Sequence, residues 1–248
     1  MKKIHGALLG ATMLLSAPAM AANFNITNLS TSLPGQTTFD ALANDLSAAI
    51  WMNPSNSAEP HSAGFIPVGF QVGVEATSMS IDQNAWSNLG VSTGSIVVPK
   101  LRVSAGIPFG LDFSLMYTAI PSSNIKVTGY EGRMAFGEMI PLPFIEFNIR
   151  AYQSKMTGVP ELSIKDSGFA AMLGADFPII KPYVEVGQVK STATPSGLSA
   201  VAFKEFSKTS TTAAVGVKLT FIPFVIINAE YAKVDKKSLY TFKFAGEF

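Results

Sequence analysis

The sequence predicts an all-β fold, an antiparallel transmembrane β-barrel of about ten strands (8–12) with an N-terminal amphipathic helix, and three observations carry it. Period-two alternation of apolar and polar residues recurs in segment after segment from Val68 onward. The connections between these segments alternate between short, proline-bearing turns and longer polar stretches. Finally, the apolarity is dispersed. Hydrophobic residues make up 48% of the chain and charged ones only 14%, yet past residue 21 no apolar run reaches the ~20 residues of a spanning helix.

The chain opens with a segment that is not part of this pattern. Lys2 and Lys3, the apolar stretch Ala7 to Leu15 and the small residues Ala19 and Ala21 read as a secretory signal peptide over 1–21, cleaved near Ala21. The sequence contains no cysteine, which excludes lipoprotein acylation, disulfides and thiolate metal sites. Without Lys2 and Lys3 the 18 basic side chains fall to 16 against 17 acidic ones, so the mature chain offers nucleic acid no electrostatic attraction.

Residues 22–66 form an N-terminal periplasmic or plug segment. Phe39, Leu42, Ala43, Leu46, Ala49 and Ile50 repeat at helical spacing and predict a helix over about 38–50, with Thr38 as N-cap. Pro54 stops it, and a Ser- and Asn-rich stretch leads to Pro60. Two placements suit so short an amphipathic helix. In one, Phe39, Leu42, Leu46 and Ile50 tuck into the barrel mouth as a plug; in the other they lie on the inner leaflet.

Residues 67–248 are the barrel. The first strand sets Val68, Phe70, Val72 and Val74 against Gln71, Gly73, Glu75 and Thr77, and the second sets Leu101 and Val103 against Lys100, Arg102 and Ser104. The third opposes Phe113, Leu115 and Tyr117 to Asp112 and Ser114. The fourth, over 125–137, opposes Tyr130 and Met134 to Glu131 and Arg133, with its first half out of phase. The fifth sets Ile145, Phe147 and Ile149 against Glu146, Asn148 and Arg150, and the sixth sets Phe169 and Leu173 against Met172 and Asp176. Val184 and Val186 oppose Glu185; Val215, Val217 and Leu219 oppose Lys218; Ile227 and Tyr231 oppose Glu230; and the tenth strand carries Tyr240, Phe242 and Phe244 on one face.

Short turns lie at 107–110, 140–143, 177–182 and 221–224, and longer polar segments at about 79–95, 119–124, 154–166, 190–208 and 233–237. Short turns on one rim and long loops on the other suit a membrane barrel with its turns in the periplasm. A soluble sandwich would show the same alternation. The export signal and the aromatic ending favour lipid.

That ending, with Phe248 last, resembles the C-terminal strand of Gram-negative outer-membrane barrels, which the barrel assembly machinery reads. The order of signal peptide, Ala-rich helix closing on Asn53 and Pro54, and barrel ending in Phe248 resembles the fatty-acid-transporter-like (FadL-type) outer-membrane proteins and their smaller relatives. Members of that family are longer, with about fourteen strands, so the resemblance implies architecture and no ligand-binding residues. Bacterial outer-membrane localisation and outer-membrane lipid as a partner follow from it.

Chemistry is sparse. Of two histidines, His5 leaves with the signal and His61 falls in the linker, read as exposed, so no hydrolytic triad can be assembled and an enzyme is not expected. No phosphate loop or metal-ligand spacing occurs, and neither cofactor nor metal is expected. The lumen-lining candidates are Glu75, Lys100, Arg102, Asp112, Glu131, Arg133, Glu146, Arg150, Asp176, Glu185, Lys218 and Glu230. They form either an ion-selecting constriction or mutually neutralising pairs; the narrowness of ten strands favours pairing. In the 190–208 loop, Leu198, Val201, Phe203 and Phe206 suit a lid over the barrel mouth or a partner contact. Trp51, Trp86 and Tyr117 are read as interface anchors or packing residues.

The functional expectation is a narrow, plugged barrel binding or passing a small or apolar molecule, with a small apolar ligand as the candidate partner. A non-transporting structural or adhesion barrel, whose long outer loops contact a partner, is the second.

Overall fold

A computed structural model describes residues 26, 28–61, 68–120, 123–137 and 144–248. The expected signal peptide, the linker 62–66 and the turn 140–143 lie outside the described residues.

Ten antiparallel strands close into one barrel, each paired with its sequence neighbours and the first with the last. They are β1 (Gly69–Ser80), β2 (Ser95–Ile107), β3 (Leu111–Ala119), β4 (Lys126–Ala135), β5 (Ile145–Thr157), β6 (Leu162–Ala175), β7 (Ile180–Pro195), β8 (Phe206–Ile222), β9 (Val225–Val234) and β10 (Lys237–Glu247). Closure removes every sheet edge, which hydrocarbon demands because it offers no partner to a free N–H or C=O.

Alternation fixes the faces. On β1, Phe70, Val72 and Val74 are exposed while Gln71, Glu75 and Thr77 are buried; on β5, Phe147 and Ile149 are exposed while Asn148 and Arg150 are buried. An exterior of bare Phe, Val, Leu and Ile is a liability in water and the right surface for lipid.

Two strand readings need correction. β4 never changes phase: Val127 and Gly129 face inward with Glu131 and Arg133. Its inward face turns from charged to apolar because one half of the lumen is packed with apolar side chains. The long connections are also shorter than expected, since β5 runs to Thr157, β7 to Pro195 and β8 starts at Phe206. Their ends carry Lys155, Lys165, Lys190 and Thr209 outward, polar because the strands run past the apolar band.

At one rim the turns are tight. In the turn 108–110, Gly110 has φ 71°, and a Cβ there would sit 2.2 Å from the Ala135 carbonyl oxygen, so only glycine fits. The opposite rim holds the longer loops 81–94 and 196–205, each with a helical turn, α3 (Gln83–Ser87) and α4 (Ser199–Ala202).

Two helices precede the barrel, α1 (Leu29–Ser32) and α2 (Gln36–Ile50). α2 begins before the expected Thr38, with Gly35 at its N-cap, and Trp51 closes it by donating to the Ser47 carbonyl at 3.1 Å. Phe39, Leu42, Leu46 and Ile50 are buried, and so are Asp45, Ser47 and Ala48. A helix buried on nearly every side is enclosed rather than lying on a surface.

Candidate functional site

The enclosure is the lumen. Residues 28–61, with Ile26 ahead of them, run through the barrel from the long-loop rim to the short-turn rim, touching wall residues along the way. At the long-loop rim the Ile26 amide donates to Asn124 Oδ1 and its carbonyl accepts from Asn124 Nδ2, both at 3.1 Å. Gln36 exchanges two hydrogen bonds with the Lys204 backbone, at 3.2 and 2.8 Å. Phe39 stacks on Phe203 at 4.9 Å and 5°. Phe203 of the expected lid is thus seated on the helix, whereas Leu198 and Val201 are exposed, at 69% and 90%.

α2 fills the long-loop half. Its apolar face joins Met79, Val98, Met116, Val127, Met156 and Ile164 of the wall in one core. Asp45, buried in that core, accepts from Trp86 Nε1 at 3.0 Å and from the Asp82 amide at 2.6 Å, and pairs with Lys237. A buried carboxylate needs such partners. Trp86 is therefore a latch on the helix and not a membrane anchor. Trp51 is likewise buried, donating to Tyr152 Oη at 2.8 Å.

Below α2 the chain becomes an extended strap, residues 51–61, and the wall answers its backbone carbonyl by carbonyl. Lys100 Nζ donates to the Trp51 carbonyl at 3.0 Å, Arg150 Nη1 to Met52 at 2.9 Å and Arg102 Nη2 to Asn53 at 2.8 Å. Lys243 Nζ donates to Ser55 at 3.1 Å, and Arg133 to Ser57 and Glu59, both at 2.9 Å. Asn148 Nδ2 donates to Ala58 at 2.9 Å. In the other direction, Glu230 accepts from the Ser55 amide at 2.8 Å and Asp112 from the His61 amide at 3.1 Å. Apart from the Trp51 carbonyl, which also accepts from the Asn53 amide at 3.1 Å, these groups have no internal backbone partner among the described residues, so the lumen supplies them.

The same side chains also pair with one another. Arg102 binds Glu75 at 2.7 Å, Arg150 binds Glu185 at 2.6 Å and contacts Glu131, and Arg133 binds Asp112 at 2.5 Å. Tyr183 Oη donates to Glu230 at 2.7 Å. Lys218 is held by Glu59 at 2.6 Å and Glu247 at 2.9 Å. Burial would raise the Glu59 pKa, but Lys218 and Lys181 outweigh it and hold the carboxyl at about 2.

Ten of the twelve lumen candidates are buried and face inward: Glu75, Lys100, Arg102, Asp112, Glu131, Arg133, Arg150, Glu185, Lys218 and Glu230. Glu146 is half-buried near the short-turn rim. Asp176 is not in the lumen; it sits in the turn after β6, its side chain 42% exposed, paired with Lys181 at 2.7 Å. His61, read as an exposed linker residue, is buried among them. Its Nε2 contacts Asn56 at 2.8 Å and its Nδ1 lies 3.1 Å from Asp112 and 3.0 Å from Arg133, so neither nitrogen is presented to a nucleophile. Sequence reasoning missed the strap, whose Ser- and Asn-rich composition looks like solvated linker. No residue pattern signalled it: Lys100, an inward lysine that pairs with no carboxylate among the described residues, stands opposite Glu75 across the β1–β2 ladder and reads as its partner.

A closed ring of ten antiparallel strands, apolar on its outer face and with no free sheet edge, defines a transmembrane β-barrel. No protein-family model matches the sequence, and no curated protein matches it. In fold the chain is similar to an outer-membrane channel from Pseudomonas putida F1, at 9% identity over 80% of this chain and 100% of that one, with TM-score 0.50. Ail, the attachment invasion locus protein of Yersinia pestis, follows at 12% identity, 73% and 99% coverage and TM-score 0.37. A loop-deletion mutant of OmpT, an outer-membrane protein of Vibrio cholerae, gives 11% identity and TM-score 0.33, covering 61% of this chain and 54% of that one. The chain thus spans about half the length of that last protein. At these identities the likeness is one of fold, to outer-membrane barrels, and the fatty-acid-transporter-like family is not shown.

Proposed function

We propose that the chain is a non-enzymatic outer-membrane barrel, exported after signal-peptide removal near Ala21 and assembled through the strand ending in Phe248. Its long-loop rim faces outside. Residues 26–61 are a plug, and a small or apolar molecule passes or binds when that plug yields. The observation that carries the reading is the row of lumen cations bonded to strap carbonyls from Trp51 to Glu59. Such bonds hold a segment by its backbone whatever its side chains, which suits a seal that docks and undocks. The long-loop half of the lumen, vacated when the plug yields, favours an apolar ligand. It is lined by Met79, Met116 and Met156, side chains that repack around varied shapes.

The chain contains no cysteine, so one engineered pair tests this cleanly. A Cβ at Gly174 would lie 2.9 Å from the Ala58 Cβ, inside the ~3.5–4.5 Å that a disulfide spans, so a sub-ångström retreat of the strap lets an Ala58→Cys/Gly174→Cys bridge pin it to the wall. In planar bilayers, deletion of 37–54 raises conductance above the full chain, and the oxidised pair conducts less than the same protein reduced. A deletion variant that keeps its heat-modifiable barrel but conducts no more than the full chain overturns the plug and favours the loop-binding barrel.

A further inference from the structure

The outer wall of β5–β7 carries an unusual charge arrangement just beyond the apolar band, toward the long-loop rim. Lys155 and Lys165 stand directly opposite one another across the β5–β6 ladder. Lys190 on β7 is diagonal to them, pairing with Ser167 while Lys165 pairs with Thr192. All three are exposed. Like charges opposed across a ladder destabilise it unless something neutralises them. Nothing in the wall does: Thr128 and Thr209 stand opposite Lys155 and Lys190 on β4 and β8, and the flanking residues of that face on β5, β6 and β7 are all uncharged. Among the described residues, none of the three lysines has a hydrogen-bond or ion-pair partner.

Below them on the same strands the wall opens into an apolar groove of about 500 Å³. The register explains it. Phe113, Gly132, Ala151 and Phe169 form one continuous row across β3 to β6, two small residues between two aromatic walls. Ala151 and Phe169 lie on the strands of Lys155 and Lys165, about 13 Å below them at ~3.3 Å per residue. An anion site and an apolar slot at that separation match one amphiphile.

We propose that this wall binds a phosphorylated lipid of the outer leaflet, its phosphate against Lys155, Lys165 and Lys190 and an acyl chain in the Phe113–Phe169 groove. The site is on the lipid side of the wall and does not depend on whether the lumen ever opens.

Native mass spectrometry of the detergent-solubilised full chain titrated with bisphosphorylated lipid A tests it. The expected result is a one-to-one adduct that the Lys155→Gln/Lys165→Gln/Lys190→Gln variant weakens about tenfold or more, because each lysine near an anionic headgroup adds to the attraction. Ala151→Phe, which fills the groove, weakens it about threefold or more through lost apolar contact. Dephosphorylated lipid A binds as poorly as the triple variant, and Lys233→Gln on β9 changes nothing. All positions are on the exposed wall, and retained heat-modifiable migration shows each variant folded. Triple-variant binding within twofold of the wild type overturns the proposal. So does displacement of lipid A by millimolar inorganic phosphate with no effect of Ala151→Phe, which marks a free-anion site.

Discussion

Lys100→Met is the sharpest probe of the strap. Lys100 is 3% exposed, and its ammonium bonds to two strap atoms, the Trp51 carbonyl at 3.0 Å and Asn53 Oδ1 at 2.8 Å. No carboxylate pairs with it among the described residues, so the substitution strands no buried anion, the usual cause of large losses at such sites. Methionine keeps the apolar stem and drops only the charge. Trp51 retains Tyr152 and Asn53 retains Glu230, which keeps the damage local. A hydrogen bond to a charged group contributes ~1.5–3 kcal/mol, and relief from burying an ammonium offsets about one of the two. The remaining ~1.5–3 kcal/mol raises the fraction of time the strap is undocked by roughly tenfold to a hundredfold. Ser57→Cys, at a site 2% exposed in the docked strap, supplies the readout. Its maleimide labelling rate in vesicles rises by that factor in Lys100→Met, with heat-modifiable migration unchanged. A labelling rate within twofold of the parent refutes the claim that lumen cations hold the strap.

Three further outcomes are expected. Asp45→Ala releases Trp86, the Asp82 amide and Lys237 together; it lowers stability by about 2–4 kcal/mol and red-shifts tryptophan emission as Trp86 meets water. Acid loosens the lower strap: Glu59 is held below its ordinary value, so its contribution is full above the unfolded carboxyl's 4.5 and is lost as pH falls toward about 2. Labelling at Cys-substituted Ser57 therefore accelerates across that window, and Glu59→Gln is already loosened at neutral pH with the step flattened. Gly158→Ala costs about 1–3 kcal/mol in thermal unfolding, because φ is +93° and a Cβ would fall 1.9 Å from the Asn124 carbonyl oxygen; a loss under ~0.5 kcal/mol contradicts it.

The barrel was legible because lipid imposes a rule with period two. Phe147 and Ile149 facing out and Asn148 and Arg150 facing in is the same constraint repeated from β1 to β10. Where the surroundings were not lipid, the rule misled. Val127 looked out of phase because it faces the apolar core of the long-loop half, and Lys155 and Lys165 looked like loop because their strands had already passed the apolar band. The charged lumen was visible as a set of residues but not as a site. Seven acids and five bases among the twelve candidates invite pairing among themselves, and Arg102–Glu75 and Arg150–Glu185 do pair. The role of Lys100 and Lys243 depends on a backbone passing through, and backbone carbonyls leave no trace in residue identity. His61 and Asp176 were misplaced for the same reason, since only the path of the strap decides which polar residue near the short-turn rim is enclosed.

The strap also constrains how the molecule is made. β1 and β10 meet along a seam from Gln71 with Glu247 to Met79 with Leu239, and the ring that this seam completes encloses α2. A preformed ring would have to admit a whole helix end-on past the charged girdle of Glu75, Arg102 and Arg150. Zipping the seam over a segment already lying in the open trough needs no such passage. Closure of the ring and filling of its bore then become a single event, and an empty, sealed barrel is a species this chain has no reason to visit on its way to the folded state.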